Sequence, residues 1–137
     1  LLAGLRPIVE NKTETEAVNM LLRFVQTAFE YKLDQDQFGR EKPLFAEETL
    51  FYPYSDCEDR SVLFAYLVRN LTELKVIGLD YPGHIATAVK LSTEIKGDSV
   101  LYNGQKYLIC DPTCINANVG QSMPQFKKIK PKIILIE

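Results

Sequence analysis

Between residues 13 and 31 the apolar positions Ala17, Val18, Leu21, Leu22, Phe24, Val25, Ala28 and Phe29 recur every three or four residues. That period predicts an amphipathic α-helix with one buried face. Thr13 followed by Glu16 fits a capping box at its start. A second helix is predicted over residues 57–70, where residues 62–68 are apolar on nearly every side and call for burial in the middle of the domain. Ser55 with Glu58, or Asp56 alone, would cap it, and either choice puts Cys57 in the first turn. Between the helices, residues 34–54 hold Gly39, Pro43 and Pro53 among mixed residues. They read as an irregular surface loop, long enough to be a candidate for function.

After residue 72 the pattern turns to strands, over 76–79 and 84–91. In the second, His84, Ala86 and Ala88 share one face while Ile85, Thr87, Val89 and Leu91 share the other. The two alanines would let a helix approach the sheet closely. Asn103-Gly104 between two short apolar runs is a strong hairpin signal. The second arm runs to Asp111, where Pro112 removes a ladder donor. A last strand is predicted over 132–136. The layout is α+β: helices first, then an antiparallel sheet packed against the buried, Cys-bearing helix.

At 137 residues the chain fits one domain, 1–137, with no internal repeat or linker. It begins without Met and ends in a strand, so a segment of a longer protein is expected, with other domains as partners. No signal peptide is visible. Hydrophobic residues at 46% and charged ones at 25% suit a globular protein, and no apolar run approaches the roughly 20 residues of a membrane span. Sixteen basic against eighteen acidic residues leave a net charge of -2, a poor footprint for nucleic acid.

Three cysteines cannot all pair within one chain, so at least one thiol is free. A thiol in the first turn of a helix meets unpaired N–H groups and the positive end of the dipole, which favour thiolate. The single histidine, His84, would ordinarily be a hydrogen-bonded structural residue, and Asp111 before Pro112 an ordinary turn former. Together they can do more. If the strand ending at Asp111 runs antiparallel to the one starting at His84, the carboxylate can orient the imidazole, which can reach Cys57 on the packed helix. One topological condition attaches: the hairpin must be an excursion at the sheet's edge, with residues 107–111 returning beside 84–91. A plain meander would make those two strands parallel and separate the pair.

Cys57-Glu58-Asp59-Arg60-Ser61 opening a helix, His84-Ile85-Ala86-Thr87 opening a strand and Cys110-Asp111-Pro112-Thr113 closing one resemble the transglutaminase-like superfamily. The spacing is 27 residues from Cys57 to His84 and 27 more to Asp111. The resemblance is clearest over residues 55–113 and implies a papain-like fold. It implies Cys57 as nucleophile, His84 as general base and acid, and Asp111 as the orienting carboxylate. It also implies a cysteine protease or amidase acting on a peptide or protein without a cofactor, and a periplasmic or extracellular setting. Transglutaminase-type amine transfer and a non-catalytic peptide- or protein-binding module on the same fold are the alternatives. Two departures stand out: Ala86 replaces the aromatic residue many relatives carry two places after the His, and the chain has no Trp. The oxyanion would then rely on the Cys57 N–H and another donor, for which Gln37 and Tyr54 are candidates.

Other residues carry plainer readings. Cys110-x3-Cys114 has a spacing open to zinc, with Asp111 or His84 completing the set. Cys110 faces away from Asp111, however, and reads as core, with Cys114 a loop thiol. Glu58 and Asp59 read as complements to a helix dipole, with Arg60 paired or solvated. Tyr52, Tyr54 and Tyr81 are possible cleft residues.

Overall fold

The computed structural model of the chain describes residues 2–40 and 46–136, with side chains described through residue 27 and again from residue 57. Three helices, α1 (Leu2–Glu10), α2 (Glu14–Arg40) and α3 (Ala46–Thr72), precede five strands: β1 (Lys75–Tyr81), β2 (His84–Lys90), β3 (Ser99–Tyr102), β4 (Gln105–Cys110) and β5 (Lys132–Ile134). A short 3-10 turn, Pro124–Phe126, lies between β4 and β5. No helix among the described residues is long and apolar enough to cross a membrane.

The strands form one antiparallel sheet in the order β3-β4-β2-β1-β5. The hairpin of β3 and β4 is therefore an edge excursion, and β4 returns beside β2 with Thr87 opposite Cys110. Its turn is made by Asn103 and Gly104, both with positive φ (52° and 75°), as a two-residue type I′ connection requires. The other tight turn matters more for chemistry. Pro82 and Gly83 (φ 71°) reverse the chain so that Tyr81 faces His84, the first residue of β2. Proline presets the first turn position and glycine alone takes the second without strain, which fixes His84 at the end of the sheet.

The helices cover one sheet face. Val18, Leu21, Leu22 and Val25 of α2, Phe64, Ala65, Leu67 and Val68 of α3, and Leu5 and Val9 of α1 meet Val76, Val89, Leu108 and Cys110. Each fully buried aliphatic side chain here contributes roughly 2 kcal/mol of transfer free energy. The capping box at α2 is present in both directions: the Thr13 N–H donates to Glu16 Oε1 (3.1 Å) and the Glu16 N–H to Thr13 Oγ1 (3.2 Å).

Four expectations are corrected. Of the predicted loop 34–54, residues 34–40 complete α2 and residues 46–54 open α3, while 41–45, with Pro43, lie outside the described residues. Gly39 and Pro53 fall inside helical ranges; such residues cost about 1 and 3 kcal/mol in a helix interior, which long helices anchored by buried faces can carry. Cys57 is consequently eleven residues past Ala46, in the interior of α3, rather than in a first turn. The 62–68 stretch is not buried all round, because Val62 and Tyr66 are half exposed while Phe64, Ala65, Leu67 and Val68 are buried, the ordinary one-sided helix. Finally, Ala86 and Ala88 do not face the helices. They join Ile77, Leu79, Tyr81, Tyr107 and Ile109 on the opposite face, which Phe126 and Ile133 help cover. Helix α1, with Pro7 inside it, has no counterpart in the sequence reading.

Candidate active site

Three polar side chains meet where the start of β2, the end of β4 and α3 come together. Cys57 Sγ lies 3.1 Å from His84 Nδ1, and His84 Nε2 lies 2.7 Å from Asp111 Oδ2. All three residues are buried. Cys57 is carried by the inward face of α3, which continues through Ser61, Phe64, Ala65 and Val68 at helical spacing. One turn on, the Ser61 hydroxyl donates to the Ile85 carbonyl at 3.4 Å, tying α3 to β2 beside the histidine.

Asp111 is immobilised from several sides. Its Oδ1 accepts the N–H groups of Thr113 (2.9 Å) and Cys114 (3.2 Å), a side-chain turn that Pro112 makes compact. The Thr87 hydroxyl donates to the neighbouring Cys110 carbonyl at 2.7 Å. Gln26, 0% exposed on α2, donates from Nε2 to the carbonyls of Asp111 and Ala117 (3.1 Å each) and accepts the Asn116 N–H at Oε1 (3.1 Å). Arg23 reaches Asn116 and Asn118, and Asn19 Oδ1 accepts the Val119 N–H. Asn19, Arg23 and Gln26 form one polar stripe along α2 that clamps the segment carrying Asp111.

The site favours a charged pair. Burial alone pushes the Cys57 thiol up, but the hydrogen bond to His84, the Thr113 side chain, the imidazolium charge and the Ile85 N–H together bring it below its ordinary value. Burial likewise opposes charge on His84, yet the Asp111 carboxylate and then the Cys57 sulfur raise it to about 9. Both shifts act in the same sense, favouring thiolate beside imidazolium over thiol beside a neutral ring. The histidine makes that difference; a helix terminus does not, since α3 begins three turns earlier.

The imidazole has an aromatic cover. Phe126 stacks on it with ring centroids 5.0 Å apart and planes 4° apart, and Tyr81 packs on Phe126 at 4.9 Å. Burial, then the Asp111 charge, raises the Tyr81 hydroxyl to about 12, so it stays neutral. Asp98 tethers the segment that brings Phe126 in, its Oδ2 accepting the Ser122 N–H (3.1 Å) and hydroxyl (2.7 Å).

The remaining sequence candidates fall elsewhere. The side chains of Gln37, Tyr52, Tyr54, Ser55 and Asp56 lie outside the described residues. In the interior of an α-helix a backbone N–H bonds to the carbonyl four residues earlier, so the Cys57 N–H is not the free oxyanion donor a first-turn position would provide. Arg60 is buried rather than solvated, and Glu58 and Asp59 are exposed along the helix, not at its start. Cys110 is wholly buried in the helix-side core, where desolvation holds its thiol up, and Cys114 is partly exposed. No group of three metal-ligating side chains occurs among the described residues.

Gln26 and Phe126 were not singled out from the sequence. Gln26 had a signal, an amide in register with Val18, Leu22 and Val25 on an apolar face. Phe126 had none, because its partner is 42 residues away in the chain. Compared with protein-family models, curated proteins and solved structures, the chain matches none of them.

Proposed function

We propose that this chain is a cysteine-dependent acyl-transfer enzyme of transglutaminase-like type, with a papain-like core, that hydrolyses peptide or amide bonds. The Cys57–His84–Asp111 geometry carries this reading: sulfur 3.1 Å from one ring nitrogen and carboxylate 2.7 Å from the other. The Cys57 thiolate attacks the carbonyl carbon, forming a C–S bond and a tetrahedral oxyanion. The C–N bond then breaks as the His84 imidazolium gives its proton to the departing amine, leaving a thioester. Water attacks the thioester, His84 takes its proton, and the C–S bond breaks to release the carboxylic acid and restore the pair. Asp111 keeps the ring oriented and stabilises its charge throughout. An amine in place of water gives transfer on the same machinery.

Incubation with a peptide library, read by mass spectrometry, tests turnover. A cleaved product or an acyl adduct on Cys57, absent in Cys57→Ala, is expected. Iodoacetamide should also alkylate Cys57 at about pH 6 faster than a free thiol of ordinary pKa, and His84→Ala should slow it. Alkylation of Cys57 no faster than that of Cys114 refutes the reading. One observation favours a second reading, a non-catalytic peptide- or protein-binding module on the same fold: Cys57 is only 1% exposed. That module would show binding without product and an unreactive Cys57.

A further inference from the structure

The segment between Gly120 and β5 meets the site through one side chain. Its backbone hydrogen bonds are local, from the Phe126 N–H to Met123, the Lys127 N–H to Pro124 and the Ile129 N–H to Phe126. Pro124, Gln125, Lys127 and Lys128 are exposed, whereas Phe126 is partly buried and lies flat on the His84 ring, 5.0 Å between centroids and 4° between planes. Other ring contacts are tilted or edge-on: 35° for Tyr81 with His84, 33° for Tyr81 with Phe126, 74° for Tyr102 with Tyr107. Hydrophobic burial is non-directional, so it does not ask for the flat stack.

A flat face adds what the hydrogen bonds lack. Cys57 Sγ at Nδ1 and Asp111 Oδ2 at Nε2 hold the imidazole along the line joining its nitrogens. They leave tilt about that line, and a coplanar neighbour restrains it. The restraint matters most once Cys57 is acylated. Thioester sulfur is uncharged and a weak acceptor, so the Nδ1 bond is lost and Asp111 alone holds the ring by hydrogen bonding. In that state Nδ1 must take a proton from water as the water oxygen bonds to the acyl carbon. The C–S bond then breaks with its electron pair on sulfur.

We propose that Phe126 is a positioning residue for this second half of the reaction, holding the plane of the His84 ring while Cys57 is acylated. The assignment rests on the acyl-transfer reading. Phe126 is itself supported: Tyr81 packs on it at 4.9 Å, and Asp98 Oδ2 accepts the Ser122 N–H and hydroxyl, anchoring the segment just before the turn.

The test uses p-nitrophenyl acetate, whose nitrophenolate is released as Cys57 takes the acetyl group. Stopped-flow absorbance gives acylation as a burst and deacylation as the steady rate, and peptide mass spectrometry follows acetyl-Cys57. In Phe126→Leu the burst rate should stay within about twofold of the wild type while the steady rate falls about tenfold, the cost of a misaimed base. Acetyl-Cys57 should accumulate, and Phe126→Tyr, which restores the flat face, should recover the wild-type rate. Urea unfolding checks that the variants are folded; if Phe126→Leu is not, Phe126→Met, unbranched and apolar, is judged on the same two rates. A burst rate that falls as far as the steady rate overturns the proposal, as do two unchanged rates or a Phe126→Tyr variant as slow as Phe126→Leu. A wild-type Cys57 that takes no acetyl group overturns the acyl-transfer reading and this assignment together; a wild-type burst with Phe126→Leu indifferent overturns only the assignment.

Discussion

Gln26→Leu removes an amide that no water replaces, since Gln26 is 0% exposed. It breaks three hydrogen bonds, to the Asp111 and Ala117 carbonyls and from the Asn116 N–H. At about 1 kcal/mol net for each, the loss is about 3 kcal/mol. The stranded Asp111 and Ala117 backbone groups add about 1 kcal/mol or more apiece, while leucine's extra apolar burial returns roughly 1–2 kcal/mol. A net loss of about 3 kcal/mol is expected, a large share of the roughly 5–15 kcal/mol that holds an ordinary domain. Urea unfolding measures it: with a slope of about 2 kcal/mol/M the midpoint falls by about 1.5 M. Asn19→Ala, which removes a single bond to the Val119 N–H from a half-buried position, should cost only about 1 kcal/mol. Gln26→Leu should also slow Cys57 alkylation, because the segment carrying Asp111 loses its clamp. A loss below about 1 kcal/mol refutes the clamp argument.

Further outcomes follow from particular groups. His84 is raised from 6.5 to about 9, so its contribution to stability is complete below pH 6.5 and is lost as pH rises toward 9. Cys57 is lowered from 9.0, so its contribution is complete above that value and is lost as pH falls through the lowered one. Where the two windows overlap the slopes are opposite in sign, so in the wild type they offset each other. Cys57→Ala leaves only the His84–Asp111 limb, so its stability should decline above pH 6.5; a flat profile in urea titrations at several pH values refutes the charged pair. Gly97→Ala would put a methyl 2.8 Å from the Gly120 Cα, a backbone contact that cannot turn aside, and should cost about 2 kcal/mol by thermal unfolding. Gly4→Ala, in α1 with nothing within 4 Å, should have the opposite sign, a gain of up to about 1 kcal/mol.

Much of the layout was legible because it rests on short-range rules. Short apolar runs marked β1 and β2, Asn103-Gly104 marked the hairpin, and Thr13 with Glu16 marked the start of α2. The sequence also drew attention to Cys57, His84 and Asp111, and the structure brings those three together. The length of α3 was harder to read. Gly39, Pro43 and Pro53 are local signals against helix, whereas helices as long as α2 and α3 are held chiefly by the faces they bury. Misreading the start of α3 assigned the thiol's environment to a helix dipole, when a hydrogen-bonded imidazole supplies it.

Alternation along β2 shows that His84, Ala86 and Ala88 share a face, but nothing local says which face the helices cover. In the folded protein the helices lie on the side of Val76, Val89, Leu108 and Cys110, opposite Ile77, Leu79, Ala86, Ala88 and Ile109. The same holds for the supporting cast. Gln26 acts on carbonyls 85 and 91 residues away, and Phe126 stacks on His84 from a separate segment. Periodicity and turn chemistry are properties of neighbouring residues and survive in one dimension. Which distant groups share a desolvated pocket, and so which proton moves to which atom, depends on burial and contact that exist only once the chain has packed.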